Sequence, residues 1–326
     1  MFVCLAQRRA ATACALLSFL VAAGAAASEP TFEQTWQDGK AEIDGYDLTV
    51  TRYGEPRGGR AVLVYVTEPF SMRRRVKVDN PSKDPADTFE ALKLNLVRDF
   101  QTGIYDYNTM TSVFARSRDF APAKISFSSA EWCGHVYEEL RFDRTAVRQT
   151  VRSYFEGESG DRELKAPRGG VPEENLYILL RGLRGAYLRP GETRTVPFLP
   201  ASIVRRLTHR PAAWSSATIE RADRAEQVVV PAGTFEAQRY VVKPDDGRVG
   251  TFWVEAATPH RLLRWTWSGT ARGSRMAGDA AERAELTGTA RVPYWQLHRN
   301  GDERLLRDLG LEPLPGAGDP GDATRR

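Results

Sequence analysis

The chain has 326 residues, 41% hydrophobic and 27% charged, with 46 Lys and Arg against 42 Asp and Glu. A net charge of +4, carried by arginines interspersed with acids, leaves no electrostatic footprint for nucleic acid. After the N-terminal leader no segment reaches the ~18 apolar residues of a membrane-spanning helix, so no transmembrane segment is expected.

Residues 1–27 have the pattern of an export leader. Arg8 and Arg9 form a positive start, Ala10 to Ala23 is apolar, and Ala25-Ala26-Ala27 supplies small residues before Ser28. An Ala-rich buried helix would carry a polar face, whereas this run has only Thr12 and Ser18 among apolar residues. The arginine pair lacks the flanks of a twin-arginine signal, so Sec-type export is expected. Cys14 lies inside the apolar run, which excludes a lipid-anchor reading. Cleavage after Ala27 removes two arginines and no acids, taking the charge from +4 to +2. Cys4 and Cys14 leave with it, so Cys133 alone remains and no intramolecular disulfide can form. A periplasmic location follows, and roughly 300 mature residues can bury a core without disulfides.

The mature chain reads mainly as strands. Tyr46, Leu48 and Val50 alternate with Asp47, Thr49 and Thr51, while Ala61 to Val66 is apolar on both faces and belongs in the middle of a sheet. The stretch 89–114 is ambiguous at its start and favours strands after Gly103. In "SSAEWCGHVYEELRFD" (128–143), an unbroken strand would put Glu131, Cys133, His135, Tyr137 and Glu139 on one side and Trp132, Gly134 and Val136 on the other. Ile125 and Phe127 share the parity of that polar row. The strand therefore bends near Ser128-Ser129, lines a cavity, or bulges near Gly134. Val147, Val151 and Phe155 share a face opposite Arg148, Thr150 and Arg152.

Two helices interrupt, one over 172–185 with Leu176, Leu179, Leu180 and Leu183 on one face, and a shorter one over 200–210 between two prolines. Residues 80–87 and 156–171 read as loops. Strands resume at 226–242, turning at Pro231-Ala232-Gly233, at 251–267, turning near Ala257 to His260, and at 284–292. From Glu312 onward, Pro, Gly and Asp predict a disordered tail. The domain plan is thus a leader (1–27), one mainly-β domain (28–311) and a tail (312–326).

Cys133 and His135 invite an enzyme reading, a thiol nucleophile with an imidazole base. Alternate residues on a strand stand roughly 6–7 Å apart, long for that hydrogen bond. They supply two metal ligands where a site needs at least three. No phosphate loop, GxSxG or SxxK occurs. The default for Cys133 is a small thiol packed in a sheet, with no catalytic residue, metal or cofactor assigned. Leu263, Trp265 and Trp267 share a strand face across from Phe252, Trp253 and Val254. They form either sheet core or the wall of an apolar cavity. Trp132, His135, Trp253, Trp265 and Trp267 are the candidate ligand-binding residues.

The segments "VPAGTFEAQRYVV", "TFWVEAATPHRLLRWTWSG" and "AELTG" (226–290) resemble an uncharacterised family of bacterial envelope proteins with a V-P-A-G-T-F turn. "TGIYDYNTMTSVF" and "SSAEWCGHVYEEL" resemble exported proteins of Gram-negative bacteria. The resemblance implies a large, curved antiparallel sheet, a half-barrel similar to the LolA/LolB lipoprotein carriers, with a few covering helices. It implies non-enzymatic binding or carriage of a lipid-like, acyl-chain ligand in the envelope. The alternatives are an envelope enzyme using Cys133 and His135, or a structural protein whose partner is another envelope protein.

Overall fold

The computed structural model describes residues 30–269 and 281–313. The expected leader (1–27) and residues 314–326 of the expected tail (312–326) lie outside the described residues. The strands are β1 (Ala41–Arg52), β2 (Glu55–Ser71), β3 (Thr88–Thr102), β4 (Tyr105–Arg116), β5 (Pro122–Glu131), β6 (Gly134–Phe142), β7 (Ala146–Ser153) and β8 (Gly160–Lys165). They continue as β9 (Val171–Pro172), β10 (Thr193–Leu199), β11 (Ser215–Arg221), β12 (Glu226–Val230), β13 (Gly233–Pro244), β14 (Val249–Glu255), β15 (Leu262–Ser268) and β16 (Glu282–Val292). Three short helices accompany them: α1 (Phe32–Trp36), α2 (Leu176–Leu179) and α3 (Ser202–Thr208).

The strands make one sheet in the order β8-β7-β6-β5-β4-β3-β2-β1-β16-β15-β14-β13-β11-β10-β9, with β12 paired to the first half of β13. The β9–β10 pairing is parallel, so the sheet is mixed; it does not close into a barrel. The mainly-β reading with few helices therefore stands. Tyr46, Leu48 and Val50 are buried and Asp47 and Thr49 exposed, as the alternation in β1 demands. β2 lies between β1 and β3, pairing Tyr65 with Leu94 and Leu63 with Leu96. The turn at Pro231-Ala232 and the β14–β15 hairpin also fall where expected.

The sheet is strongly curved. β6 and β14 are eight strand positions apart, ~38 Å if the sheet were flat. Yet a few side chains join them. Arg205 Nη2 donates to Glu138 of β6 at 2.7 Å, and Glu173 accepts from the Ala201 amide at 3.0 Å. Arg248, next to β14, donates back to Glu173 at 2.7 Å. The turn and helix after β9 (residues 173–188), together with α3, thus fill the concave side. The Tyr177 ring meets Trp265 edge-on at 5.3 Å and Phe252 at 5.5 Å. Each such fully buried ring contributes about 1.5–3 kcal/mol.

Among the described residues the first and last strands are neighbours: β1 pairs with β16 from Ala41↔Val292 to Val50↔Glu282. Behind that seam, Leu309 and Leu311 pack with Ala41, Ile43 and Val66 on the convex side. Gly45 and Gly288 are paired there, and an added Cβ would stand 2.2 Å from Leu309 O or 2.3 Å from Asp308 O. Only glycines admit so close a backbone approach.

Three readings are corrected. The stretch 128–143 is a hairpin, not one strand: Glu131 pairs with Gly134 around Trp132-Cys133. Paired residues share a face, so the inward parity switches from Phe127, Ser129 and Glu131 to Val136, Glu138 and Leu140. The helix over 172–185 shrinks to α2 with a 3-10 turn at Glu173–Asn175, because Glu173 and Glu174 turn inward to cap α3. The loop over 156–171 contains β8, a charged edge strand of the kind that resists further pairing.

Candidate functional site: a pocket beside α3

α3 begins after Pro200, where its first amides meet buried carboxylates. Ala201 N donates to Glu173 at 3.0 Å and Ser202 N to Glu174 at 2.7 Å. Burial raises the Glu174 carboxyl above its usual range. The helix stops at His209, whose φ of 53° is left-handed. Its two successive arginines point into the protein. Arg205 Nη2 donates to Glu138 and, at 2.8 Å, to Ser202 Oγ; its Nη1 donates to the Pro200 carbonyl. Arg206 pairs with Glu131 and lies 4.0 Å over the Phe155 ring. Gln149 Nε2 donates to Glu138 at 2.7 Å. His209 Nδ1 is 2.6 Å from Glu158 Oε1, joining the helix end to the β7–β8 loop.

These groups wall a pocket of about 100 Å³, with Phe127, Val136, Val151 and Pro211 as its apolar part. Three buried polar atoms on its wall lack hydrogen-bond partners: Arg205 Nε, Arg206 Nε and Gln149 Oε1. Arg162 and Arg210 also line it, exposed and without an ion-pair partner among the described residues. A buried polar atom left unpaired costs about 1–3 kcal/mol, so three in one pocket mark a place built for a polar occupant.

On the other face of α3 a cavity of about 30 Å³ lies among Arg52, Arg98, Arg248, Glu173, Glu282 and Trp267. It has room for about one or two waters. Arg98 bonds Glu282 at 2.8 Å and the Tyr177 hydroxyl at 3.2 Å, and Trp265 Nε1 donates to Glu282. Burial works to lower the Arg248 pKa, and the Glu173 carboxylate more than offsets it, so this guanidinium stays charged.

The five residues expected at a ligand site lie in three places. Trp265 and Trp267 are in the concave core, packed with Tyr46 and Phe252. The cavity next to Trp267 is far below the ~300 Å³ of a typical ligand pocket. Trp253 faces the convex side, half-buried, its Nε1 donating to Glu226 at 2.6 Å under the Arg264 guanidinium. Trp132 and His135 are exposed at or beside the β5–β6 tip. Cys133 shares that tip and is exposed, which corrects its expected role as a packed core thiol. No hydrogen bond joins the Cys133 and His135 side chains. Among the described residues no group of three or more His, Cys, Asp and Glu is placed to hold a metal ion.

Arg205, Arg206 and Gln149 were not singled out from sequence. The usable signal was an Arg-Arg pair beside Ile203, Val204 and Leu207 in a short, proline-bounded helix.

No protein-family model matches the chain, and none of the curated proteins matches it. Among solved structures, a Bacteroides fragilis protein described as exported with a YmcC-like fold aligns over 76% of this chain and 95% of its own. The identity is 11% and the TM-score 0.21.

Proposed function

We propose that this chain is an exported, non-enzymatic binding protein of the bacterial envelope, working in the periplasm after cleavage at Ala27. Its ligand presents an anionic group to the pocket beside α3. The carrying observation is the convergence there of two unpaired buried Nε donors and two free arginines; the unpaired Gln149 oxygen accepts, and calls for a hydroxyl or other donor on the same ligand. Guanidinium forks match phosphate and carboxylate oxygens in geometry as well as charge. The apolar part of a lipid-like ligand would lie outside this pocket, since the tryptophan-lined interior is occupied by the chain's own side chains.

The test is thermal melting of the mature chain with inorganic phosphate against chloride at equal ionic strength. A ligand at 100 times its dissociation constant adds about 2.7 kcal/mol to the folded state. Phosphate also stabilises proteins generally by exclusion from their surface. The decisive comparison is therefore Arg162→Ala with Arg210→Ala, which should lose the phosphate-specific shift. An equal shift in that variant sinks the reading.

A further inference from the structure

We propose that the end of the sheet carrying the β1–β2, β3–β4, β5–β6 and β7–β8 turns is a membrane-docking surface for an anionic phospholipid bilayer. In part this rests on the pocket reading above, because the same end opens that pocket.

Each of the four turns at this end presents a large apolar or aromatic side chain. Tyr53 is on the first, Ile104 on the second, Trp132 on the third and Tyr154 on the fourth. Ile104 is 80% exposed, Trp132 70% and Tyr154 65%. Tyr53, Trp132 and Tyr154 are linked along this end, with Ile104 at the tip beside Tyr105. The Tyr105 hydroxyl is 2.9 Å from that of Tyr53, and its ring is 6.5 Å from that of Trp132. Tyr154 lies on the backbone of Gly134, where an added Cβ would be 2.4 Å from its Cγ. Phe155 then links Tyr154 to His209 and the pocket, with ring separations of 5.3 and 5.2 Å. Large side chains at successive turn tips contribute nothing to a core, and a contiguous exposed patch of them marks an interaction site.

Two features select a bilayer as the occupant. The residues are mostly Tyr and Trp, which combine an apolar ring with a polar edge and favour the membrane–water boundary. Next to them stand Arg162 and Arg210, without carboxylate partners, and the unpaired Nε atoms of Arg205 and Arg206. The exposed Arg162 and Arg210 guanidiniums are complementary to a lipid phosphate. The opposite end differs: its β2–β3 loop exposes Arg73, Arg74 and Lys77 with no aromatic row.

The test is sedimentation of the mature chain with vesicles of phosphatidylcholine, with and without phosphatidylglycerol. Trp132→Ser with Ile104→Ser and Tyr154→Ser should lower vesicle partitioning by at least about tenfold. It should keep the wild-type fold by circular dichroism and the phosphate-dependent melting shift. Arg162→Ala with Arg210→Ala should remove the preference for phosphatidylglycerol. Docking is overturned if the triple variant binds vesicles like the wild type, or if Arg74→Glu with Lys77→Glu abolishes binding instead. It is also overturned if the wild type ignores vesicles, and a retained phosphate shift would then leave the pocket reading intact. Vesicle binding that depends on Trp132 without any phosphate shift supports docking and removes the pocket reading alone.

Discussion

Arg181 Nη2 stands 2.7 Å from Glu42 Oε1, and both side chains are 1% exposed. This ion pair joins the covering segment to β1. Arg181 is fixed further by donating to the His260 and Pro259 carbonyls at 2.8 and 3.0 Å, and by lying 4.3 Å over the Tyr65 ring. Neither Glu42 oxygen accepts a well-aligned hydrogen bond among the described residues, so the carboxylate depends on the nearby positive charge.

Removing that charge should be severe. Arg181→Met leaves the buried Glu42 with only the Arg291 guanidinium, 3.8 Å from its other oxygen, and a cost of up to about 3–5 kcal/mol is expected. Adding Glu42→Gln should recover part of it, giving a non-additive double-mutant cycle. Urea unfolding midpoints at constant slope measure both; strict additivity would show that the pair is not coupled.

Asp44, on the same face of β1, gives a pH signature. Burial first, and the Glu42 charge second, raise its carboxyl from 3.8 to about 8. The unfolded chain releases this proton near pH 4, while the folded chain keeps it to about pH 8. Between those values the unfolded state binds fewer protons, so stability falls as pH rises. Glu174, also raised by burial, acts in the same direction. The lowered acids Glu33, Asp87, Glu139, Asp161 and Glu192 act oppositely, their stabilisation being lost as pH falls toward their folded values. Urea titrations from pH 5 to 8 should show a decline that Asp44→Asn flattens.

Cys133 should be accessible. In a chain beginning at Ser28 it is the sole thiol, and it sits exposed at the β5–β6 tip. A thiol reagent should titrate one equivalent from the native protein as fast as from the unfolded one. Cys133→Ser should change stability by no more than about 0.5 kcal/mol. Slow, unfolding-limited labelling would contradict the exposed placement.

Strand alternation was legible wherever one face is buried and the other wet, as in β1. The β12–β13 turn was legible because glycine stands at the position that requires positive φ. The β5–β6 turn was not, since Trp132-Cys133 has no turn chemistry and only Gly134 marks it. The pocket was hidden for another reason. Arg205 and Arg206 find their acids 67 and 75 residues away, and periodicity in one chain cannot pair groups so distant. Charge at 160–165 suggested a loop, although an edge strand carries the same composition.

The glycine pair beneath the C-terminal segment predicts a local failure. Gly288→Val would drive side-chain atoms into the Asp308 carbonyl, already 2.3 Å from an added Cβ. Overpacking of this kind costs about 1–3 kcal/mol. Because the contact is with residues 302–311, proteolysis should clip the variant there before the sheet unfolds. Simultaneous loss of both would show that the segment and sheet are one cooperative unit.

The β1–β16 seam also sets the order in which the molecule can be finished. Asp44 and its partner Thr289 are 245 residues apart, a separation whose closure entropy is about 5 kcal/mol. One edge of β1 finds β2 at once, while the other stays bare until residues 282–292 have been synthesised. Non-local pairing of this kind is slow. In a protein exported unfolded, as proposed here, that delay keeps the nascent chain threadable. It also makes premature termination hazardous, since a product lacking residues 282–292 would offer the bare edge of β1 to its neighbours.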